Sequence, residues 1–339
     1  MVTRAPRVSA LVSNLQQARG PIGSHRNVTL RFSQGTLEET RVEFASAIRE
    51  GEERLHRLCG LLSGVMLRGE YDLSSVVIAE MPGTRENFTL RQKIEPSVLY
   101  SGTDLDLGRR LLENVQLRTD NEHWKQPRLV ANFVEYQPLA MDDFHIHKMI
   151  SRIKAEEEIW NKVVYEIFEL DQVVQRDKAL SRYSRYIKDI FGIKIIVEQL
   201  ADVHALQLGL EELRFSPEVL AAHNVPHEAS TEQPRILEVK NYLGVRKKSG
   251  WKALKSVVVW WGQTFEIQIQ PLTNYFMEQE YLTRESHSAF KDRRDQIYEA
   301  VGENDRVFAF YRELLRWLFR EGAQGPAPEL SGVNIEIEA

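Results

Sequence analysis

Ser256-Val-Val-Val-Trp-Trp-Gly-Gln-Thr-Phe-Glu-Ile-Gln-Ile-Gln270 carries the clearest structural signal in the chain. Ser256 to Trp261 is an apolar, β-branched and aromatic run, and Gly262-Gln263 after it predicts a turn. Thr264 to Gln270 then alternates strictly. Phe265, Ile267 and Ile269 fall on one face; Thr264, Glu266, Gln268 and Gln270 fall on the other. A β-hairpin follows, with a carboxylate in a polar row on one face of its sheet. A half-exposed antiparallel sheet would show the same pattern.

Moving outward, helices are predicted over about Asn274–Ala300 and Asp305–Arg320. The second carries Val307, Phe310, Tyr311, Leu314, Trp317 and Leu318 on one face and stops at Gly322. The tail beyond is Gly/Pro-rich, then acidic, and reads as linker or a short added strand. Upstream, Ile190–Val197 is β-rich and a helix opens near Asp202. A polar loop with Pro217, Pro226 and Pro234 separates that helix from the hairpin. Ile150–Phe168 predicts a helix, with Ile159, Val163, Ile167 and Trp160, Val164, Phe168 in adjacent i,i+4 rows. Nearer the start, Phe44, Ile48, Leu55, Cys59, Leu62 and Met66 recur at helical spacing, with Gly51, Gly60 and Gly64 as candidate breaks. Residues 74–140 mix short strands (75–81, 128–136) with a helical stretch at 107–117, and residues 1–36 look loose. The expected class is α+β, with domains at 1–140 and 145–300, a helix at 301–322 and a tail at 323–339.

The 339 residues suggest about two domains. A net charge of -5 is too small to mark the chain as a general nucleic-acid binder. Cys59 is the only cysteine, so an intrachain disulfide and a cysteine zinc cluster are excluded. No apolar run approaches a membrane span, and residues 1–19 lack a signal-peptide core. The expected location is the cytoplasm. GxxxxGK[ST] and GxGxxG are absent, which excludes P-loop and Rossmann phosphate sites. HExxH and a His-Asp dipeptide are absent as well. His145 and His147, beside Asp142 and Asp143, read either as metal ligands or as a polar linker.

Other features could carry chemistry. Asp189 stands at the start of an apolar strand, three residues before Gly192, where a hard cation and a triphosphate would have room. Lys240, Arg246, Lys247, Lys248, Lys252 and Lys255 crowd sixteen residues around Gly244, Gly250 and Trp251. Such a loop suits phosphates and a stacked base, or is a solvated basic loop. Lys154, Glu158 and Lys162 share one helical stripe with Arg152 nearby; a surface salt-bridge ladder has this spacing too.

Taken in order, these features resemble the synthetase domain of the RelA/SpoT family, alarmone synthetases of the stringent response with a nucleotidyltransferase fold. Ser151 to Lys162 is similar to the family's RxKxxxSIxxK helix, and Lys188 to Val197 to its (R)DLxGIRVIV strand. Lys240 to Lys255 aligns without a gap to KDYIAxPKxxGYxSLH, and Phe265 to Gln270 to VEVQIR. Glu285 to Lys291 loosely resembles EHxxxYK. The resemblance covers residues 145–300 and leaves 1–140 unassigned. Glu158, Lys194, Asn241, Trp251, Lys255 and Gln270 depart from the family residues.

The resemblance implies a nucleotidyltransferase-like mixed sheet flanked by helices, with an additional N-terminal α/β region. It implies a pyrophosphokinase that moves the β,γ-pyrophosphate of ATP to the 3′-hydroxyl of a guanine nucleotide or related acceptor. Asp189 and Glu266 would be catalytic and hold Mg2+. Arg152, Lys154, Lys162 and Lys194 would bind ATP; Lys240, Lys247, Lys248, Trp251, Lys255 and Gln268 would bind the acceptor. The alternatives are a toxin-like relative acting on the tRNA 3′ end and a non-catalytic nucleotide-binding regulator. The acceptor, the role of residues 1–140 and any homo-oligomer stay open.

Overall fold

The computed structural model describes residues 5–24, 27–67, 71–81, 87–118, 124–140, 143–154, 159–160, 163–164, 167, 189–244, 252–282, 306–319 and 326–338. In chain order, the first half runs α1 (Pro6–Gly23), β1 (Val28–Ser33), α2 (Gln34–Met66), β2 (Tyr71–Glu80), β3 (Asn87–Lys93), α3 (Asp104–Glu113), β4 (Leu117–Arg118), β5 (Trp124–Lys125) and β6 (Arg128–Pro138). The second half runs β7 (Ile146–Ile153), β8 (Phe191–Val197), α4 (Leu200–Glu212), α5 (Pro217–Ala222), β9 (Arg235–Asn241), β10 (Leu254–Trp260), β11 (Gln263–Pro271), α6 (Leu272–Leu282), α7 (Arg306–Phe319) and β12 (Val333–Glu338). This is a mixed α+β chain with a mixed sheet. No described helix is long and apolar enough to cross a membrane.

The chain divides into two discontinuous units. The first is residues 1–48, 155–187 and 284–339; the second is 49–154 and 188–283. In the first unit, β1 and β12 pair in parallel, Val28 opposite Val333 through Ser33 opposite Glu338. Its core joins three helical segments through rings: Trp160 lies 4.5 Å from Phe44 and 3.9 Å from Phe319, centroid to centroid. The Tyr311 hydroxyl donates to Leu15 O at 2.7 Å. The expectation of a loose start is corrected by α1. Pro6 opens it, and Val8, Leu11, Leu15 and Ile22 are buried at helical spacing.

The second unit holds an eight-stranded sheet in the order β3-β2-β6-β7-β8-β11-β10-β9. Every pairing is antiparallel except β8 with β11. The predicted hairpin is present, with its turn one residue earlier than expected, at Trp261-Gly262. Both turn residues have positive φ, 47° and 65°, as a two-residue turn matching the strand twist demands.

The helix expected over Ile150–Phe168 needs correction. Ile150 to Ile153 belong to β7, and Ser151 pairs with Val134 on one side and Ile193 on the other. Ile159, Trp160, Val163, Val164 and Ile167 are helical and buried, as their period predicted. Arg152 therefore stands on a strand and Lys154 just beyond it. Lys154 thus falls out of the helical stripe expected with Glu158 and Lys162, which lie outside the described residues.

One face of the sheet carries Phe191, Ile193, Ile195, Phe265, Ile267 and Ile269, each at most 1% exposed. It is covered by α4 and by the second half of α2, where Gly51 lies against Phe191. The Ser256 hydroxyl donates to Gln207 of α4 at 2.9 Å on that side. The opposite face is polar near β8 and β11, and α6 lies across it.

Candidate functional site

Register explains which side chains meet. Arg152 and Glu266 both stand opposite Gly192, on either side of β8. Lys194 stands between Ile150 and Gln268, and Gln268 is opposite Lys255, itself opposite Lys240. Successive strand residues alternate faces, so Arg152, Lys194, Glu266, Gln268, Lys255 and Lys240 share one face. A Cβ on Gly192 would lie 3.6 Å from Arg152 Cγ and 3.8 Å from Glu266 O. The arginine stem thus runs across the glycine toward β11, a path that a larger residue would narrow.

Glu266 is buried at 5% exposure. Its Oε1 accepts from Gln268 Nε2 at 2.6 Å, and its Oε2 is ion-paired with Lys255 Nζ. Asp189, just before β8, accepts from Lys154 Nζ at 2.8 Å. Lys194 Nζ donates to both carboxylate oxygens of Glu278 on α6 at 3.0 Å. Burial lowers the Lys194 ammonium below the usual lysine value; Glu278 opposes the shift and Arg152 adds to it. Gln270 Nε2 also donates to Glu278, at 3.1 Å, and Gln270 Oε1 accepts from Asn274 Nδ2. Lys240 pairs with Glu238 at 3.1 Å.

The structure thus brings Arg152, Lys194, Glu266, Gln268, Lys255 and Lys240 onto one face, with Lys154 and Asp189 bonded at the start of β8. Asp189 and Glu266 belong to different segments: Glu266, on β11, is level with Gly192, and Asp189 stands three residues before Gly192, just ahead of β8. Their oxygen donors suit a hard cation. Lys162, Lys247, Lys248, Trp251 and Glu158 lie outside the described residues. Glu278 is the participant that sequence reading missed. Its position, eight residues beyond Gln270 on a predicted helix, was the only available signal.

Among the described residues, His145 and His147 belong to no metal-ligand group. His145 Nδ1 is 3.0 Å from Asp202 Oδ1, and His147 pairs with Glu198. Asp142 lies outside the described residues.

No protein-family model matches the chain, and no curated protein matches it. Solved structures do match. The chain is similar to a small alarmone synthetase. The small alarmone synthetase 1 from Bacillus subtilis, bound to its product pppGpp, is 16% identical over 51% of this chain and 80% of that one, with a TM-score of 0.28. A second structure of the Bacillus subtilis protein is 15% identical over 50% and 80%, with a TM-score of 0.24. A likeness at this level carries no argument about the site, which rests on its residues.

Proposed function

We propose that this chain is a pyrophosphokinase, transferring the β,γ-pyrophosphate of ATP to the 3′-hydroxyl of a guanine nucleotide or related acceptor. One observation carries the reading. Arg152, Lys194, Glu266, Gln268 and Lys255 come from four strands onto one face, beside the Lys154–Asp189 pair. Cations and carboxylates interleaved on a rigid sheet suit a charged, in-line phosphoryl transfer, where positioning and electrostatics do most of the work. The order of the motifs supports the same nucleotidyltransferase-like reading.

Asp189 and Glu266 would hold Mg2+, which when bound supplies charge neutralisation at phosphoryl oxygens. Lys154, Arg152 and Lys194 would bind the ATP phosphates, joined by Lys162, which lies outside the described residues. Lys240, Lys255 and Gln268 would hold the acceptor, joined by Lys247, Lys248 and the stacking ring of Trp251. Glu266 would accept the proton of the attacking hydroxyl once Lys255 moves to phosphate.

The test is incubation with γ-labelled ATP and Mg2+ beside GDP, GTP, ATP and bulk tRNA. AMP release with label on a guanine nucleotide supports the proposal. Label on tRNA alone moves the acceptor to RNA. ATP binding without AMP release with any acceptor leaves the regulator reading.

A further inference from the structure

The face of the sheet away from these cations holds a second constellation that the nucleotide reading does not use. Glu52 and His56 stand at i and i+4 on α2, so both project from the same side of the helix. Asp104 opens α3. Their ligand atoms lie within 4.8 Å of one another, and the three residues are 3%, 0% and 2% exposed. The Asp104 backbone N–H donates to Glu52 Oε1. His56 Nε2 is 2.9 Å from Asp104 Oδ1, while Nδ1 is 3.3 Å from the Tyr136 hydroxyl. Asn132 donates to the Asp104 carbonyl and accepts from Ser75 at 3.0 Å. Asp104 Oδ2 is buried with no hydrogen-bond partner among the described residues. A carboxylate oxygen at such depth calls for a compensating charge. Among the described residues, no lysine or arginine pairs with either acid.

We propose that Glu52, His56 and Asp104 form a buried site for one divalent transition-metal ion of the zinc class. The ligands are Glu52 Oε2, His56 Nε2 and an Asp104 carboxylate oxygen. A mixed nitrogen–oxygen set of three protein ligands suits zinc, whereas magnesium takes oxygens alone. One 2+ ion cancels the two carboxylate charges against a neutral imidazole. On binding, the imidazole proton resides on Nδ1, where the Tyr136 oxygen accepts it. That is the outer partner which commonly orients a metal-ligating histidine. Glu52 Oε1 stays on the Asp104 N–H, leaving Oε2 for the metal. The site is sealed from solvent, so the ion clips α2 to the start of α3 rather than meeting substrate. This inference does not rest on the proposed activity.

The experiment uses the full untagged chain, stripped with EDTA and titrated with Co2+ and then Zn2+. Expected are one equivalent bound at this site, a visible cobalt d–d band displaced by zinc, and a raised melting temperature. Glu52→Gln and Asp104→Asn keep volume, and Glu52→Gln keeps an oxygen for the Asp104 N–H; both should lose the band while circular dichroism stays native. Tyr136→Phe should weaken binding about ten- to hundredfold. A stripped wild type that shows no band and no melting shift overturns the proposal and leaves a proton between the carboxylates. Binding that persists in Glu52→Gln and Asp104→Asn overturns it too. Should either variant unfold, X-ray absorption of the zinc-loaded wild type decides: one nitrogen with oxygen donors supports the site, and donors without nitrogen, or nitrogen alone, overturn it.

Discussion

Lys255 and Gln268 occupy both carboxylate oxygens of Glu266, and Lys154 holds Asp189. Bonds to charged groups at low exposure are worth more than their neutral counterparts, and a single broken partner costs more still. Glu266→Gln therefore leaves Lys255 without its carboxylate and should lower stability by about 1–3 kcal/mol. Asp189→Asn, at a part-exposed pair, should cost less. Both should abolish pyrophosphate transfer while circular dichroism stays native. A folded variant with normal turnover in the labelled-ATP assay would move the reaction elsewhere. Alternation along 264–270 made Glu266 legible as part of a polar row. Its partner Lys255 was legible only as one lysine in a basic stretch, because the pairing comes from cross-strand register.

His223 offers a separate residue-scale test. Arg57 donates to its carbonyl oxygen at 2.7 Å, and its ring lies against Gly60, 3.0 Å from where a Cβ would be. Burial and then the Arg57 charge hold the imidazole below its usual value. A depressed folded value means that the native state prefers the neutral ring. Its contribution is present above the unfolded value, about 6.5, and is lost as pH falls through the folded value. His223→Gln should flatten the part of the stability–pH curve below about 6.5. An unchanged slope in urea titrations across that range would show that other groups set it.

At the scale of elements, the helices and strands with one dominant period were readable. β8, β11 and α7 lie where their patterns placed them, within a residue or two. β7 was not readable, because it is flanked by β6 and β8 and buries residues on both faces. A strand of that kind has no clean alternation, and the helical rows at 159–167 extended the helix prediction backwards over it. α1 was hidden by its polar residues and by Pro21, although its buried positions keep helical spacing. α2 shows propensity and packing pulling apart. Glycines at 51, 60 and 64 read as breaks, yet the helix is continuous. Alanine at 51 would gain up to about 1 kcal/mol by helix propensity. Its Cβ, however, would sit 2.1 Å from Phe191 Cζ, inside the packed core. Overpacking costs about 1–3 kcal/mol and should win. Gly51→Ala is expected to lower the urea midpoint, and Phe191→Leu on that background to recover part of the loss. A stabilised single variant would show that the ring swings aside freely.

Across the whole molecule, the candidate site is a set of matched charges rather than a field of one sign. Each described candidate lysine has an acid: Lys154 with Asp189, Lys194 with Glu278, Lys240 with Glu238 and Lys255 with Glu266. ATP alone would draw Lys154 and Lys194 to its phosphates and leave Asp189 and Glu278 uncompensated. Mg2+ alone would engage the carboxylates and leave the lysines without theirs. Supplied together, the two exchange partners with the protein, so that phosphate meets lysine and metal meets carboxylate. The proposed function therefore predicts synergy. At one hundred times its dissociation constant a ligand adds about 2.7 kcal/mol of stability, or about 5–10 °C for a unit of this size at about 2–4 °C per kcal/mol. Thermal melting should show that shift with Mg2+ and ATP together, and clearly less than half of it with either alone. Asp189→Asn and Glu266→Gln should each remove the synergy, since each deletes one carboxylate that the metal would take from a lysine. Equal shifts with ATP in EDTA and ATP with Mg2+ would mean that the lysines bind phosphate without giving up their acids, and the exchange on which the proposed chemistry depends would not occur.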